Sequence, residues 1–329
     1  MKKFVLMFSV LFTMSASVFA EDLTVTLQQG DVMTPFYGVD AFKKAYEAAP
    51  ATGAIITLSA GTFNPVESIE KSMKIMGYDA FGSTYSNTKI ESAKILADNV
   101  TIEGVFFTGN VELGNISNCH IKRCYLSNRL TATETHTNTF IDQSFVQYDY
   151  AIGSGVNYVI KNSTLTAFCS KNTISNKAKI TNCVIWKWCS SYSGDSNIKQ
   201  PYAIYMNNIL GGYNRSAAIS YKCDAVSEYY YNYYVRSYGS SYGYSVSYPT
   251  DCINEGNSTY SSYENVSSSP CTKAWNKTGM DGTVVGILGG TGFSALPSIP
   301  RITSSTIDSH TDSQGKFNVK ISATIGSNF

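Results

Sequence analysis

Residues 99–107 read NVTIEGVFF, and the same outline returns as NCHIKRCYL at 118–126, NTFIDQSFV at 138–146, NYVIKNSTL at 157–165, KAKITNCVI at 177–185 and AIYMNNIL at 203–210. The anchor of each copy is Ile102, Ile121, Ile141, Ile160, Ile180 and Tyr205, with steps of 19, 20, 19, 20 and 25 residues. A period this short, combined with alternation of apolar and polar residues, predicts a solenoid in which each copy forms one rung.

The positions within a rung follow from strand geometry, in which successive side chains face opposite ways. Five residues after each anchor stands another apolar residue: Phe107, Leu126, Val146, Leu165, Ile185 and Leu210. Three residues after it stands a small or thiol-bearing one in most copies: Cys124, Ser144, Ser163, Cys183 and Asn208. Both sets are expected to stack inside. Asn99, Asn118, Asn138 and Asn157 precede their anchors by three, and Asn162, Asn182 and Asn207 follow theirs by two. Asparagine tolerates the left-handed backbone of a sharp bend, and stacked amides can bond from rung to rung. The columns therefore read as structural ladders at the bends, not as binding rows.

Upstream, GVDAFKKAYEAAP carries Asp40 as a helix cap, Phe42, Tyr46 and Ala49 at helical spacing, and Pro50 as a stop. A helix here would close the exposed end of a solenoid. GAIITLSAGTF (53–63) and SMKIMGYDAF (72–81) alternate like early rungs. At the other end, residues 301–325 place Phe317, Val319, Ile321 and Ala323 in alternation after a DSQG turn, which predicts a terminal hairpin. Residues 228–249, EYYYNYYVRSYGSSYGYSVSYP, are so rich in Tyr and Ser that they are expected to leave the solenoid as a loop excursion, within a looped region spanning about 213–270.

AIITLSAGTFNPVESIEKSMKIMGYD, ADNVTIEGVFFTG and the rungs that follow resemble the right-handed parallel β-helix proteins of the pectin-lyase-like superfamily. GMDGTVVGILGGTGFSALPSIPRI is similar to the closing coils of exported β-helix proteins from Bacteroidetes-type bacteria. The resemblance implies an all-β, right-handed parallel β-helix over residues 21–300, with an N-terminal cap helix and a C-terminal hairpin over 301–329. It does not imply one function, because the fold carries lyases, hydrolases and binding proteins alike.

Residues 1–20, MKKFVLMFSVLFTMSASVFA, pair two lysines with a short apolar run and small residues before Ala20, the pattern of a bacterial signal peptide. The expected location is periplasm, cell surface or medium. A formal charge of +1 gives no basis for nucleic acid as a partner. Eight cysteines in an exported chain can form disulfides, and their spacing lacks the CxxC pairs of a zinc site. Cys169 and Cys189 stand one rung apart and are the candidate bridge.

Enzymes of this fold that cut acidic polysaccharides need a base and groups that neutralise the substrate acid, and the hydrolases need paired carboxylates. Lys122, Asp142 and Lys161 each follow an anchor by one and should form an outward column near His120 and Arg123. They are the weak catalytic candidates; an alternating charge ladder on a solvated face explains them as well. The signature motifs of polygalacturonases and common pectate lyases are absent, so no active site is carried over. Glu228, Asp251, Glu255 and Asp195 are isolated, so neither calcium nor another cofactor is assigned. Phe168, Trp188 and Tyr213 should align, and Trp186 and Trp188 lie two apart in NCVIWKWCSSY. Trp186, Trp188 and Tyr213 are the candidate carbohydrate platform if they face outward, and core packing if they face inward. The leading expectation is a non-catalytic protein that binds a polysaccharide or cell-envelope glycan. The alternatives are a polysaccharide lyase or glycoside hydrolase, and an adhesin contacting protein on a host or neighbouring cell.

Overall fold

In the computed structural model the described residues are 23–82, 87–168, 178–188, 203–212, 228–230, 232–236, 253–255, 278–293, 300–307, 314 and 319–325. The signal-like segment, Cys169, Cys189 and Tyr213 lie outside them.

The repeat builds two long parallel sheets. In the first, the anchors pair in direct register, Ile56 with Ile75, then Ile102, Ile121, Ile141, Ile160, Ile180, Tyr205 and Tyr229. The anchors from Ile56 to Tyr205 are buried. In the second, Phe107, Leu126, Val146, Leu165, Ile185 and Leu210 pair in the same way. A third, shorter ladder joins Ala93–Ile95, Val111–Leu113 and the end of Tyr125–Ala132 in the early rungs. This is a parallel β-helix, and its interior is one continuous apolar cluster. Burying a branched side chain at every rung stabilises each by roughly 1.5–3 kcal/mol relative to exposure.

The column of small residues is an interior hydrogen-bond ladder. Cys124 N donates to Ser144 Oγ (3.1 Å), Ser144 N to Ser163 Oγ (3.0 Å), Cys183 N to Asn208 Oδ1 (2.8 Å) and Asn208 N to Asn232 Oδ1 (3.0 Å). These side chains are fully buried, and the ladder satisfies backbone donors that the turn between sheets leaves without a strand partner.

Both asparagine columns occupy the left-handed region. Asn99, Asn118, Asn138 and Asn157 have φ between 50° and 57°. At the second corner the series is Gly104, Arg123, Gln143, Asn162, Asn182 and Asn207, with φ from 46° to 71°. Arg123 and Gln143 therefore belong to the bend column. The left-handed turn at Arg123 interrupts the strand alternation, so its side chain is buried where an outward position was expected.

The N-terminal end departs from a plain capped rung. Thr24–Gln29 and Val32–Tyr37 form an antiparallel pair added to the edge of the first sheet beside Thr52–Leu58. The helix Ala41–Ala48 buries Ala41, Phe42 and Ala45. Asp40 precedes it without capping it; its carboxylate instead accepts a bond from Asn64 Nδ2 at 2.7 Å. The other end of the helix is satisfied by Lys71, whose Nζ donates to the carbonyls of Tyr46 and Ala49, each at 2.7 Å.

One expectation for the later chain changes. Glu228–Tyr230 and Tyr233–Arg236, placed by composition in a loop excursion, extend the two sheets by another rung, with Tyr229 beside Tyr205 and Tyr234 beside Leu210. Tyrosine fits a strand as readily as it fits a loop. Pro300–Ile307 and Val319–Ile325 pair antiparallel as a separate two-stranded sheet.

Candidate functional site

The outward face of the first sheet follows from the same alternation. The residue before each anchor and the residue after it face away from the core, which gives two parallel columns. The first runs Thr101, His120, Phe140, Val159, Lys179; the second runs Lys122, Asp142, Lys161, Thr181, while Glu103, in register with Lys122, is buried. Lys122, Asp142 and Lys161 thus stand on consecutive rungs, as their spacing predicts.

In the first column, the rings of His120 and Phe140 stack with centroids 4.6 Å apart and planes inclined by 23°. In the second, Lys161 Nζ lies 3.7 Å from Asp142 Oδ2. Burial raises the Asp142 carboxyl pKa, opposed by the positive charges of Lys161, Lys122 and Arg123. Among the described residues, Asp142 Oδ1 is buried with no hydrogen-bond partner. Burial also lowers the pKa of His120, with Asp142 acting the other way.

Beneath this face lies an ion pair that the sequence did not suggest. Arg123 Nη1 donates to Glu103 Oε1 at 2.7 Å, and both side chains are at most 3% exposed. Arg123 Nε donates to Gln143 Oε1 at 2.9 Å, and Gln143 Nε2 donates to the carbonyl of Gly292 at 2.7 Å. The last bond comes from residues 278–293, which add no strand to either long sheet and lie as a strap across the second corner. The sequence placed this stretch among the closing coils.

The strap is held by the bend residues themselves. Asn162 Nδ2 donates to the carbonyls of Ile287 (3.1 Å) and Gly289 (2.5 Å), and Thr291 Oγ1 donates to Asn162 Oδ1 (3.0 Å). Met280 N donates to Asn207 Oδ1 and Gly286 N to the Asn207 carbonyl, each at 2.8 Å. Val285 and Ile287 of the strap are fully buried, as are Thr164, Val184 and Ile209 on the outward side of the second sheet. On the early side of the strap, Phe293 meets Phe81, which meets Tyr125, at 5.6 and 5.8 Å between centroids. Tyr125 in turn stacks on Phe145 at 4.4 Å.

Trp186 and Trp188 lie on the strand Val184–Trp188, with Trp188 paired to Phe168 as the rung spacing requires. Their side chains, like Tyr213, fall outside what the structure describes. Cys119, Cys124 and Cys183 are buried free thiols. Among the described residues no group of three or more His, Cys, Asp or Glu is arranged to hold a metal ion.

No protein-family model, no curated protein and no solved structure matches the chain.

Proposed function

We propose that this chain is an exported, right-handed β-helix protein of the pectin-lyase-like superfamily that binds an extended glycan without cleaving it. The observation that carries the reading is the ribbon of outward groups on consecutive rungs: the His120–Phe140 ring stack beside the Lys122, Asp142, Lys161 row. Rungs repeat every ~4.8 Å, so a rigid row of rings and charges offers an extended polymer many aligned contacts with little ordering cost. Rings pack on the C–H faces of sugars, and the lysines and the aspartate meet hydroxyl or acidic groups. Trp186 and Trp188 would add to the surface if their rings face outward.

The test is retention on an array of neutral and acidic polysaccharides, xylan and alginate included. Replacing His120 and Phe140 together by alanine is expected to weaken binding roughly tenfold, the equivalent of ~1.4 kcal/mol. Retention unchanged in that variant would remove the ring stack from the site. Absence of retention on every polysaccharide would remove the glycan reading.

The alternative, a polysaccharide lyase or hydrolase, draws on one observation: a carboxyl raised by burial sits between two lysines. New unsaturated or reducing ends, lost in Lys122→Ala or Lys161→Ala, would establish it.

A further inference from the structure

The strap fits its corner closely and yet leaves it incompletely bonded. Gly279 and Gly289 are buried, and a Cβ at either would collide with the amide of Asn207 or Asn182, so glycine is needed for the strap backbone to sit against those side chains. Those same amides are not satisfied by it. Among the described residues, Asn182 Nδ2 and Asn207 Nδ2 are buried without a hydrogen-bond partner, as is Thr164 Oγ1 on the neighbouring strand. Asn182 is 6% exposed and the other two are fully buried. A buried amide or hydroxyl left unpaired costs roughly 1–3 kcal/mol.

Three such groups on neighbouring rungs, two of them directly against one segment, are difficult to reconcile with a strap that serves only to close the fold. The strap supplies mostly backbone carbonyls and N–H groups at fixed spacing, and these reach Asn162 and Asn207 Oδ1 but neither free amide nitrogen. A chain bearing many hydroxyls supplies groups that both donate and accept at variable positions, which is what two amide N–H₂ groups and one threonine hydroxyl require.

We propose that the corner formed by Thr164, Asn182 and Asn207 is a second portion of the glycan-binding surface, and that the strap is a built-in lid competing with the ligand for it. The inference rests on the glycan reading above and extends it from the exposed ribbon to a site under the strap. The corner is preorganised: its bends are held by rung pairing on both sides and by a core the strap does not enter. Lifting the strap therefore leaves the rungs intact and uncovers donors already in place. The cost is exposure of Val285, Ile287 and the outward Val184 and Ile209. Binding then equals intrinsic affinity reduced by the fraction of molecules with the strap open.

Two full-length variants test this. Gly289→Val introduces a side chain against the Val284 carbonyl and the Asn182 amide, and Thr291→Val removes one strap bond more mildly. Release is read by chymotrypsin cleavage after Leu288 or Phe293, and binding by retention on immobilised xylan and alginate. If the strap is closed nine-tenths of the time, release is expected to tighten binding about tenfold, less in Thr291→Val. Faster cleavage with binding unchanged overturns the lid and leaves the glycan reading standing. A strap that stays protected in both variants also overturns it. Binding seen only in the released variants supports lid and glycan together; binding by neither parent nor variants overturns both.

Discussion

The two corners of the solenoid use one backbone conformation for different ends. At the first, Asn118 Nδ2 donates to Asn99 Oδ1, Asn138 Nδ2 to Asn118 Oδ1 and Asn157 Nδ2 to Asn138 Oδ1, at 2.7–3.1 Å, so the column satisfies itself in solvent. At the second, glycine, arginine, glutamine and asparagine share the left-handed position, and the side chains of Gln143, Asn162 and Asn207 bond to a segment more than 70 residues away in sequence. A left-handed residue at every rung therefore identifies a bend without identifying what the bend holds. Uniform composition accompanies a self-contained ladder, and mixed composition accompanies a docked partner.

The largest expected effect lies at the second corner. Arg123→Ala leaves Glu103 buried beside a lost guanidinium, removes the donor to Gln143 Oε1 and puts alanine at φ 51°. Breaking a buried pair from one side costs about 3–5 kcal/mol, so urea denaturation should show a loss of that order. A loss below about 1 kcal/mol would mean that the pair is not desolvated and that the corners differ less than their geometry says.

A third turn sharpens the contrast. Ala151–Ser154 is held by interior groups rather than by a ladder: Asp149 Oδ1 accepts from Ala151 N (2.9 Å) and Ile152 N (3.2 Å), and Asp149 Oδ2 accepts from Tyr158 Oη (2.8 Å). Burial pushes the Asp149 carboxyl up to about 6 despite these bonds. Its folded pKa lies above its unfolded one, so the fold favours the protonated acid, and this group's contribution to stability grows as pH falls from about 6 toward 3.8. Buried His136, whose pKa is lowered by desolvation, acts in the opposite direction and costs stability as pH falls below 6.5. Asp149→Asn removes the first contribution, roughly 2–3 kcal/mol across that window. Its stability should therefore decline more steeply on acidification than the parent's; parallel pH curves would show that the Asp149 carboxyl has the same pKa folded and unfolded, so that burial does not raise it.

At the first corner the expected effect is smaller. Asn138→Ala breaks two amide bonds and strains the left-handed bend, and about 1–2 kcal/mol should be lost. Asn138→Gly keeps the backbone unstrained and should recover about half of it. Equal losses in thermal unfolding would mean that the side-chain ladder alone matters there.

Rung register, both apolar ladders and the asparagine bends were readable because each repeats with a local period and a local physical cause. Asn99, Asn118, Asn138 and Asn157 advertise their backbone by residue type. Arg123 and Gln143 do not, since neither residue favours φ > 0, and only their place two after an anchor assigns them to the column. The strap was unreadable for a different reason: Asn162 meets Gly289 across 127 residues, a contact that no periodicity encodes. Asp40 had the residue type of a cap but found a better donor in Asn64. The charged row was placed by register, while the ring stack of His120 on Phe140 required coordinates.

The smallest effect is expected beside the second corner, in the column that cysteine and serine share. Ser144 Oγ donates to the Asp142 carbonyl (2.8 Å) and Ser163 Oγ to that of Lys161 (2.7 Å); Cys124 Sγ and Cys183 Sγ make the same bond to Lys122 and Thr181 at 3.3 and 3.2 Å. The thiols and hydroxyls are interchangeable in geometry, so Cys124→Ser and Cys183→Ser should each change unfolding free energy by less than about 1 kcal/mol. Burial pushes both thiols, and that of Cys119, up to about 12, and native protein should leave all three unlabelled by a thiol reagent. After denaturation without reduction the total becomes informative. Eight cysteines less three buried thiols leave five, an odd number, so intramolecular bridges alone require at least four free thiols. A count of only three would place one cysteine in a bond to another molecule, and rapid labelling of Cys124 or Cys183 in the native state would show that the interior ladder opens where the strap covers it.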